Sequence, residues 1–520
     1  MKKLVSPSIL LMSLLSGCQS VDVIEADNSQ LTALEAENAS PPVEEPEQQL
    51  NEQQPEVVIT DAWQRVSSQL TFDVPENARV NHFVKWYQKH PSHLQVVTKR
   101  AEPYLHMIVE KIEQRGLPLE LAFLPIVESS FDAFAYSHGS ASGMWQFTAA
   151  TGKHFGLEIN WWYDGRRDVF AATDAALDMM EYLYKRMDNN WLYALAAYNT
   201  GEGRIFRAIS KNKKQGKAYD FWSLDLPKET ERYVPQMLAL TKVFRDPAKY
   251  GLTISPVANQ QKIVQVDVGS QIDLSMAAEL ASISLKELQQ LNPGYNRWAT
   301  SPTGPHNIVI PIEKEAEFKQ KLALLPDEKR LKWVRYQIES GDSIGEIANK
   351  HYTTIDVIRS VNQINGNQII AGKHLLIPVA AKDPTQYQLS VDQRLAKKQS
   401  IKRAKFKKNY LVKSGDSLWS IAKAHKVNVS ALARWNSMAP RDTLTVGKTL
   451  VIWNNLGASK SNGVLRKVHY KIRKGDSLAR IASKFNVSVS QIKRWNSFKG
   501  KYIQPGDMLT LYVDVTQVSS

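Results

Sequence analysis

Glu128 closes the run Leu117-Pro-Leu-Glu-Leu-Ala-Phe-Leu-Pro-Ile-Val-Glu, in which Pro118 stands near a helix start and nearly every residue ahead of the carboxylate is apolar. With Glu128 at the end of such a helix, Leu124 lies one turn behind it and Val127 beside it, surroundings that penalise the ionised form and raise the pKa. A carboxylic acid kept neutral near physiological pH can protonate a glycosidic oxygen as a general acid. On the residues alone, a capping or ion-paired surface Glu fits the same spacing, because Glu is common on exposed helices. Asp132, four positions on, adds a second reading, since glycosidases place an acid and a nucleophile or base about 5–9.5 Å apart. Ser129-Ser130-Phe131 can also end the helix first, which leaves Asp132 as a solvent-facing residue or a local cap. Other chemistries find little support: the 11 histidines include no His-Glu-x-x-His pair, and no Gly-rich phosphate loop with its Lys occurs. The single cysteine, Cys18, excludes an internal disulfide framework and a zinc site built from several thiolates. Neither a metal nor a cofactor is expected.

The elements that must position Glu128 read as helices. Between about Asp61 and Tyr250, Thr173-Asp174 can cap a helix whose Ala176, Met180, Leu183 and Met187 follow the spacing of one buried face. Trp191 to Tyr198 is nearly all apolar and predicts a buried helix ending at Asn199 and Gly201.

The C-terminal part is built from repeats. Gly-Asp-Ser recurs at Gly341, Gly415 and Gly475, followed in the same register by Ile347-Ala348, Ile421-Ala422 and Ile481-Ala482, then by Asn362, Asn436 and Asn496. A closing glycine, Gly372, Gly447 or Gly506, precedes a leucine by three residues in each copy. Alternating strands such as Tyr410-Leu-Val-Lys, a Gly-Asp turn, a helix that Asp or Ser can cap, a second helix ending near the Asn and a final apolar strand together predict a βααβ unit. These units resemble LysM modules, and the resemblance implies binding of N-acetylglucosamine-containing glycans such as peptidoglycan. A weaker echo runs from Val264 to Ile312, where Leu285 to Asn292-Pro293 matches the second helix and its Asn but Gly-Asp-Ser is missing. Ala381 to Asn409, rich in Lys and Arg, and Asn454 to Gly463, rich in Asn, Ser and Gly, read as linkers.

Composition sets the surroundings. The chain has 520 residues, 43% hydrophobic, enough for roughly three or four folded domains. Between Asp22 and Asp61 stand eleven acidic residues and no Lys or Arg; without that stretch and Lys2 and Lys3, 64 basic residues face 41 acidic ones, a balance of +23. The folded part is therefore suited to a polyanion or an anionic surface. Met1-Lys-Lys, the apolar run Ile9 to Leu15 and small residues before Cys18 form an export signal too short to span a bilayer. Leu15-Ser-Gly-Cys18 resembles a bacterial lipobox, which implies cleavage before Cys18 and acylation there, with each buried CH₂ adding about 0.8 kcal/mol of membrane affinity. Gln19, a non-Asp residue after the cysteine, implies sorting to the periplasmic face of a Gram-negative outer membrane. Basic residues interleaved with Trp also suit nucleic acid, but an exported, lipid-anchored chain argues against that partner.

Around Glu128 the motifs take a family form. Glu128-Ser129, Ser137 nine positions on, Gly143-Met-Trp-Gln146, and Ala197-Tyr198-Asn199 with Gly201 resemble the successive motifs of the lytic transglycosylase catalytic domain. With the lipobox and the LysM units, the chain resembles the membrane-bound lytic transglycosylases. The resemblance implies a multidomain α+β chain: a mainly α-helical, goose-lysozyme-like catalytic domain followed by small βααβ LysM modules. It also implies that Glu128 is the single acid/base for the β-1,4 bond between N-acetylmuramic acid and N-acetylglucosamine. The muramoyl C6 hydroxyl then attacks intramolecularly and yields a 1,6-anhydro product, a nucleophile already held close and needing no second carboxylate. Ser137 and Gln146 would contact substrate or position Glu128. Tyr198 and Asn199 would line the cleft, Tyr233 would help stabilise the reacting sugar, and Met144 with Trp145 would form part of an apolar floor or belong to the plain core. The family often has Gly-Ala where Ser140-Ala141 stands. The expected organisation is a lipoprotein signal peptide at 1–17, a disordered acidic tether at 18–60, a catalytic domain at 61–250, a degenerate LysM-like unit at 262–313, and LysM units at 334–379, 410–453 and 469–513. The expected partners are glycan strands and, through Cys18, a membrane, with the chain a monomer. A hydrolase of the same fold and a non-catalytic wall-binding scaffold are the competing readings.

Overall fold

The computed structural model describes residues 58–454, 465–485, 487–496 and 503–514. The signal peptide, Cys18 and the tether through Val57 lie outside the described residues. Ile59 and Thr60 are already fixed: their carbonyls accept from the Asn259 side chain and backbone at 2.8 Å, and the Asp61 carboxylate caps Ala62–Ser67 while also accepting from Val257 N at 2.9 Å.

The first half is helical because its apolar residues recur on helical faces and find one another. Trp191–Thr200, apolar almost all round, has Ala194 to Ala197 fully buried and is packed by Val169–Arg186, Glu202–Lys214 and Lys228–Arg245. Asn190 caps its start and Gly201, at φ +87°, ends it. Trp63, Phe123 and Phe244 stack at centroid distances of 4.8–6.4 Å beside the segment that carries Glu128. Ala176, Met180, Leu183 and Met187 are buried as their spacing requires. The start of their helix is earlier than Thr173-Asp174: Asp168 caps it, its Oδ1 accepting from Phe170 N and Ala171 N at 2.9 Å. Thr173 instead donates to Val169 O and accepts from Trp145 Nε1 within the core, while Asp174 pairs with Lys111 and Arg115.

Among the described residues, four βααβ units follow, each closing a two-stranded antiparallel sheet: Ile263–Asp267 with Asn307–Pro311, Lys332–Gln337 with His374–Val379, Phe406–Leu411 with Thr449–Asn454, and Leu465–Lys471 with Met508–Asp514. This is the expected multidomain α+β architecture, a mainly α-helical half and then small βααβ modules. The repeated residues each have a mechanical task. The Asp of Gly-Asp-Ser accepts from a tyrosine hydroxyl and a backbone N–H three residues earlier (Tyr336–Asp342, Tyr410–Asp416, Tyr470–Asp476), and the Ser caps the helix. The glycines before it take φ of +83° to +96°, so a side chain there is strained. The repeated Asn donates to the carbonyl four residues back and both donates to and accepts from one closing-strand residue, at 2.7–2.9 Å. Asn292 makes the same three bonds in the unit lacking Gly-Asp-Ser, so the strand-to-helix tie survives the loss of the turn.

That first unit shares its core with the helical half. Trp162 and Tyr163 pack among Val266, Ile272 and Tyr295, and Asn296 N donates to Trp162 O at 2.7 Å. The segment read as a linker, 381–409, also docks. It forms a helix, Val391–Ser400, and sends the buried Tyr387 hydroxyl onto Asp273 at 2.8 Å, while Leu389, Val391 and Leu395 are partly covered.

Candidate active site

Glu128 sits in the last turn of the short helix Leu124–Ser129, which continues a 3-10 turn, Leu119–Phe123. The helix stops there because Ser130 and Phe131 adopt φ of +53° and +58°, their N–H groups closing onto Ile126 O and Pro125 O. Two successive non-glycine residues in that region cost about 1 kcal/mol or more each, a strain of the kind that clusters at functional sites. The bend removes Asp132 from the helix. Its Oδ1 accepts from Phe134 N at 2.9 Å, and its carboxylate lines a different cavity from Glu128. Asp132 is a local turn cap, and its carboxylate does not share the cleft that Glu128 lines.

Glu128 lies half-buried in a cleft of about 860 Å³. Burial is the main reason its carboxyl is raised from 4.5 to about 7; the Tyr233 hydroxyl, donating to Oε1 at 2.6 Å, opposes the rise, and the nearby charge of Glu229 adds to it. Tyr233 is itself buried, and its phenol is pushed far above the usual value by burial and by the adjacent Glu128. It comes from Lys228–Arg245, 105 positions away in sequence.

The remaining expected residues mostly converge. Ser137, Gln146, Tyr198, Asn199 and Tyr233 line the cleft with Glu128. Tyr198 donates to Trp145 O at 2.8 Å, and Asn199 Oδ1 accepts from Thr230 Oγ1 at 2.8 Å, which locks two walls together. Gln146, at φ +52°, turns its amide onto Gly143 O at 2.7 Å, and Ser137 Oγ accepts from Ala141 N and Gly139 N within its own loop. Neither side chain bonds Glu128 in this state. Met144 is not part of the floor: it is 2% exposed, and only its carbonyl serves the site, accepting from Ser129 Oγ at 2.8 Å. Trp145 is fully buried, held by Thr173. Both belong to the core beneath the cleft.

The loop carrying Ser137 and Gln146 is set by buried charge. Arg166 pairs with Asp164 at 2.8 Å and donates to Ser140 O, while Arg167 donates to Ser142 Oγ at 2.9 Å. Gly143 is obligatory: at φ +83°, a Cβ would lie 1.8 Å from Arg166 O. Ser140, standing where the family often has Gly, takes φ +63° and bonds Asp442 of the second LysM unit. Sequence reasoning missed Glu229, Arg232 and Gln236, which line the cleft beside Tyr233. Their i, i+3, i+4, i+7 spacing along one helix face was the available signal. Among the described residues, no cluster of three or more His, Cys, Asp or Glu could hold a metal ion, and no helix is long and apolar enough to cross a membrane.

Comparison with known proteins agrees with this arrangement. Residues 107–221 match the transglycosylase SLT domain, 262–327 the LysM-like domain of lytic transglycosylase MltD, and 336–378, 410–453 and 470–511 the LysM domain. A helical domain of this kind with LysM domains behind it defines a lytic transglycosylase, an enzyme. The chain is 36% identical over 401 residues, 74% of its length and 85% of the relative's, to the membrane-bound lytic murein transglycosylase D of Escherichia coli (strain K12), and it belongs to that family. It is also 57% identical over 116 residues, 22% of this chain and 56% of the other, to a putative tributyltin chloride resistance protein of Alteromonas sp. (strain M-1).

Proposed function

We propose that Glu128 cleaves the β-1,4 bond between N-acetylmuramic acid and N-acetylglucosamine of peptidoglycan with formation of 1,6-anhydro-N-acetylmuramic acid. The observation that carries this reading is a carboxyl with a pKa of about 7, bonded by Tyr233 on the wall of a strand-sized cleft. Near neutral pH such a group is available both as acid and as base, the two roles that one residue must alternate. Protonated Glu128 donates to the bridging oxygen, and the glycosidic bond breaks. The carboxylate then takes the proton of the muramoyl C6 hydroxyl as that oxygen attacks the anomeric carbon, so the acid is regenerated and no water is consumed. Ser137, Gln146, Tyr198 and Asn199 hold the sugars, Tyr233 steadies the charge on Glu128, and the LysM units hold the glycan. Lipid attachment at Cys18 would keep a monomeric chain on the periplasmic face of the outer membrane.

Mass spectrometry of products from purified sacculi tests the reaction. Anhydro-muropeptides should appear with the parent and vanish with Glu128→Gln. Reducing muramic acid ends would instead establish a hydrolase, and unchanged anhydro product from the variant would refute the role of Glu128.

A further inference from the structure

Behind the loop that forms one wall of the cleft lies a second cavity, of about 680 Å³. Its lining combines the catalytic half (Arg167), the docked helix Val391–Ser400 (Arg394, Lys398) and the second LysM unit (Lys448). The charge there is unbalanced. The two carboxylates, Asp132 and Asp442, are engaged: Asp132 by its own turn, Asp442 by Tyr136, Ser140 and Ala439 N. Arg167 is bonded to Ser142 and Asn296. Among the described residues, no hydrogen bond or ion pair reaches the side chains of Arg394, Lys398 or Lys448, and Arg394 Nε is buried without a partner. The guanidinium rests only against the Phe134 ring, 4.8 Å from its centroid. Burial, and after it the charge of Arg167, lower the pKa of Arg394 to about 9 against the weaker opposing pull of Asp164 and Asp132, and burial also lowers Lys398 and Lys448. Cations left unpaired in a cavity are costly unless an anion joins them.

We propose that this cavity is a carboxylate-binding site for the peptide carried by the glycan strand engaged in the cleft. It rests on the reading that the cleft holds peptidoglycan. Ser137, His138, Gly139 and Ala141 face the cleft, and Ala135 and Tyr136 of the same loop face the cavity, so a peptide branching from a bound sugar has one loop to cross. Arg394 and Lys398, one helical turn apart, present a planar fork and a point charge to the same carboxylate, and Lys448 lines the same cavity. The volume suits a peptide end.

The test is calorimetric titration of the full chain with three probes: the free tetrapeptide released from sacculi by an amidase, the same peptide with its carboxyls amidated, and inorganic phosphate. Because the free peptide has no glycosidic bond, the readout is independent of whether Glu128 forms an anhydro product, and the two readings fail separately. The tetrapeptide should bind saturably. Arg394→Gln and Lys398→Gln should each weaken it about 10-fold, the loss of one charge-assisted hydrogen bond, and the amidated peptide should bind the parent no better than the variants bind the free one. Should either variant fail to fold, Lys448→Gln, in a separate module, carries the same expectation. Equal tetrapeptide affinity in parent and variants overturns the proposal. So does phosphate binding that is tighter than the peptide's and lost in the same variants, which would make the cavity a phosphate site.

Discussion

Replacing Tyr233 with Phe keeps the buried ring and removes one donor, the hydroxyl that meets Glu128 Oε1 at 2.6 Å. That bond favours the carboxylate over the acid and opposes the rise that burial imposes. A hydrogen bond to a charged group is worth about 1.5–3 kcal/mol, and at ~1.4 kcal/mol per pH unit its loss lifts the Glu128 pKa by about 1–2 units. Cleavage that begins from protonated Glu128 falls as pH climbs through that pKa, so the alkaline limb of the parent lies near 7. In Tyr233→Phe the limb should move to about 8–9, with a lower plateau because the less acidic group donates its proton less readily. The assay is initial-rate turnover of purified sacculi from pH 5 to 9, each profile normalised to its own plateau. An unmoved limb, or one displaced toward acid, refutes the claim that Tyr233 holds down the pKa of Glu128.

Three further outcomes follow from the geometry. The raised pKa of Glu128 contributes stability that is fully present below the unfolded value of 4.5 and lost as pH rises through about 7, a span worth about 3.5 kcal/mol at ~1.4 kcal/mol per unit. Glu128→Gln lacks this loss, so its Tm advantage over the parent should grow between pH 5 and 8 in calorimetry; a pH-independent difference would contradict the burial. Gly143→Ala must place a Cβ against Arg166 O at positive φ, and denaturant unfolding should show a loss of about 3 kcal/mol or more together with loss of the Gln146 turn. Asn436→Ala strips the buried Val451 N–H and carbonyl of their partner, an expected cost of about 2–4 kcal/mol visible in hydrogen exchange as faster opening of the second LysM unit alone.

The repeats and the segment that carries Glu128 are legible in the chain because their causes are local. A Gly-Asp-Ser turn, a helix-ending Asn and an apolar run ahead of Glu128 act through neighbours a few residues away, so spacing predicts the elements, while the same spacing fits a surface Glu and the family motifs were needed to favour a buried one. Thr173-Asp174 carries the same capping residue types as Asp168, the true cap of Val169–Arg186, and the packing of Trp145 shows that Thr173 belongs inside. The motif leaves Met144 between cleft floor and core, and its burial in the structure places it in the core.

Tertiary structure decided what distance in sequence conceals. The hydroxyl that restrains Glu128 arrives from a helix 105 residues away, and Glu229 joins it from the same helix. Asp132, so near Glu128 in the chain, is carried to another cavity by two residues at positive φ. The basic stretch 381–409, a linker by composition, becomes a packed helix because Asp273 receives Tyr387, and it then brings Arg394 beside Arg167 and Lys448. Composition records how many charges a chain carries; which of them meet depends on burial and backbone direction, which belong to the folded whole.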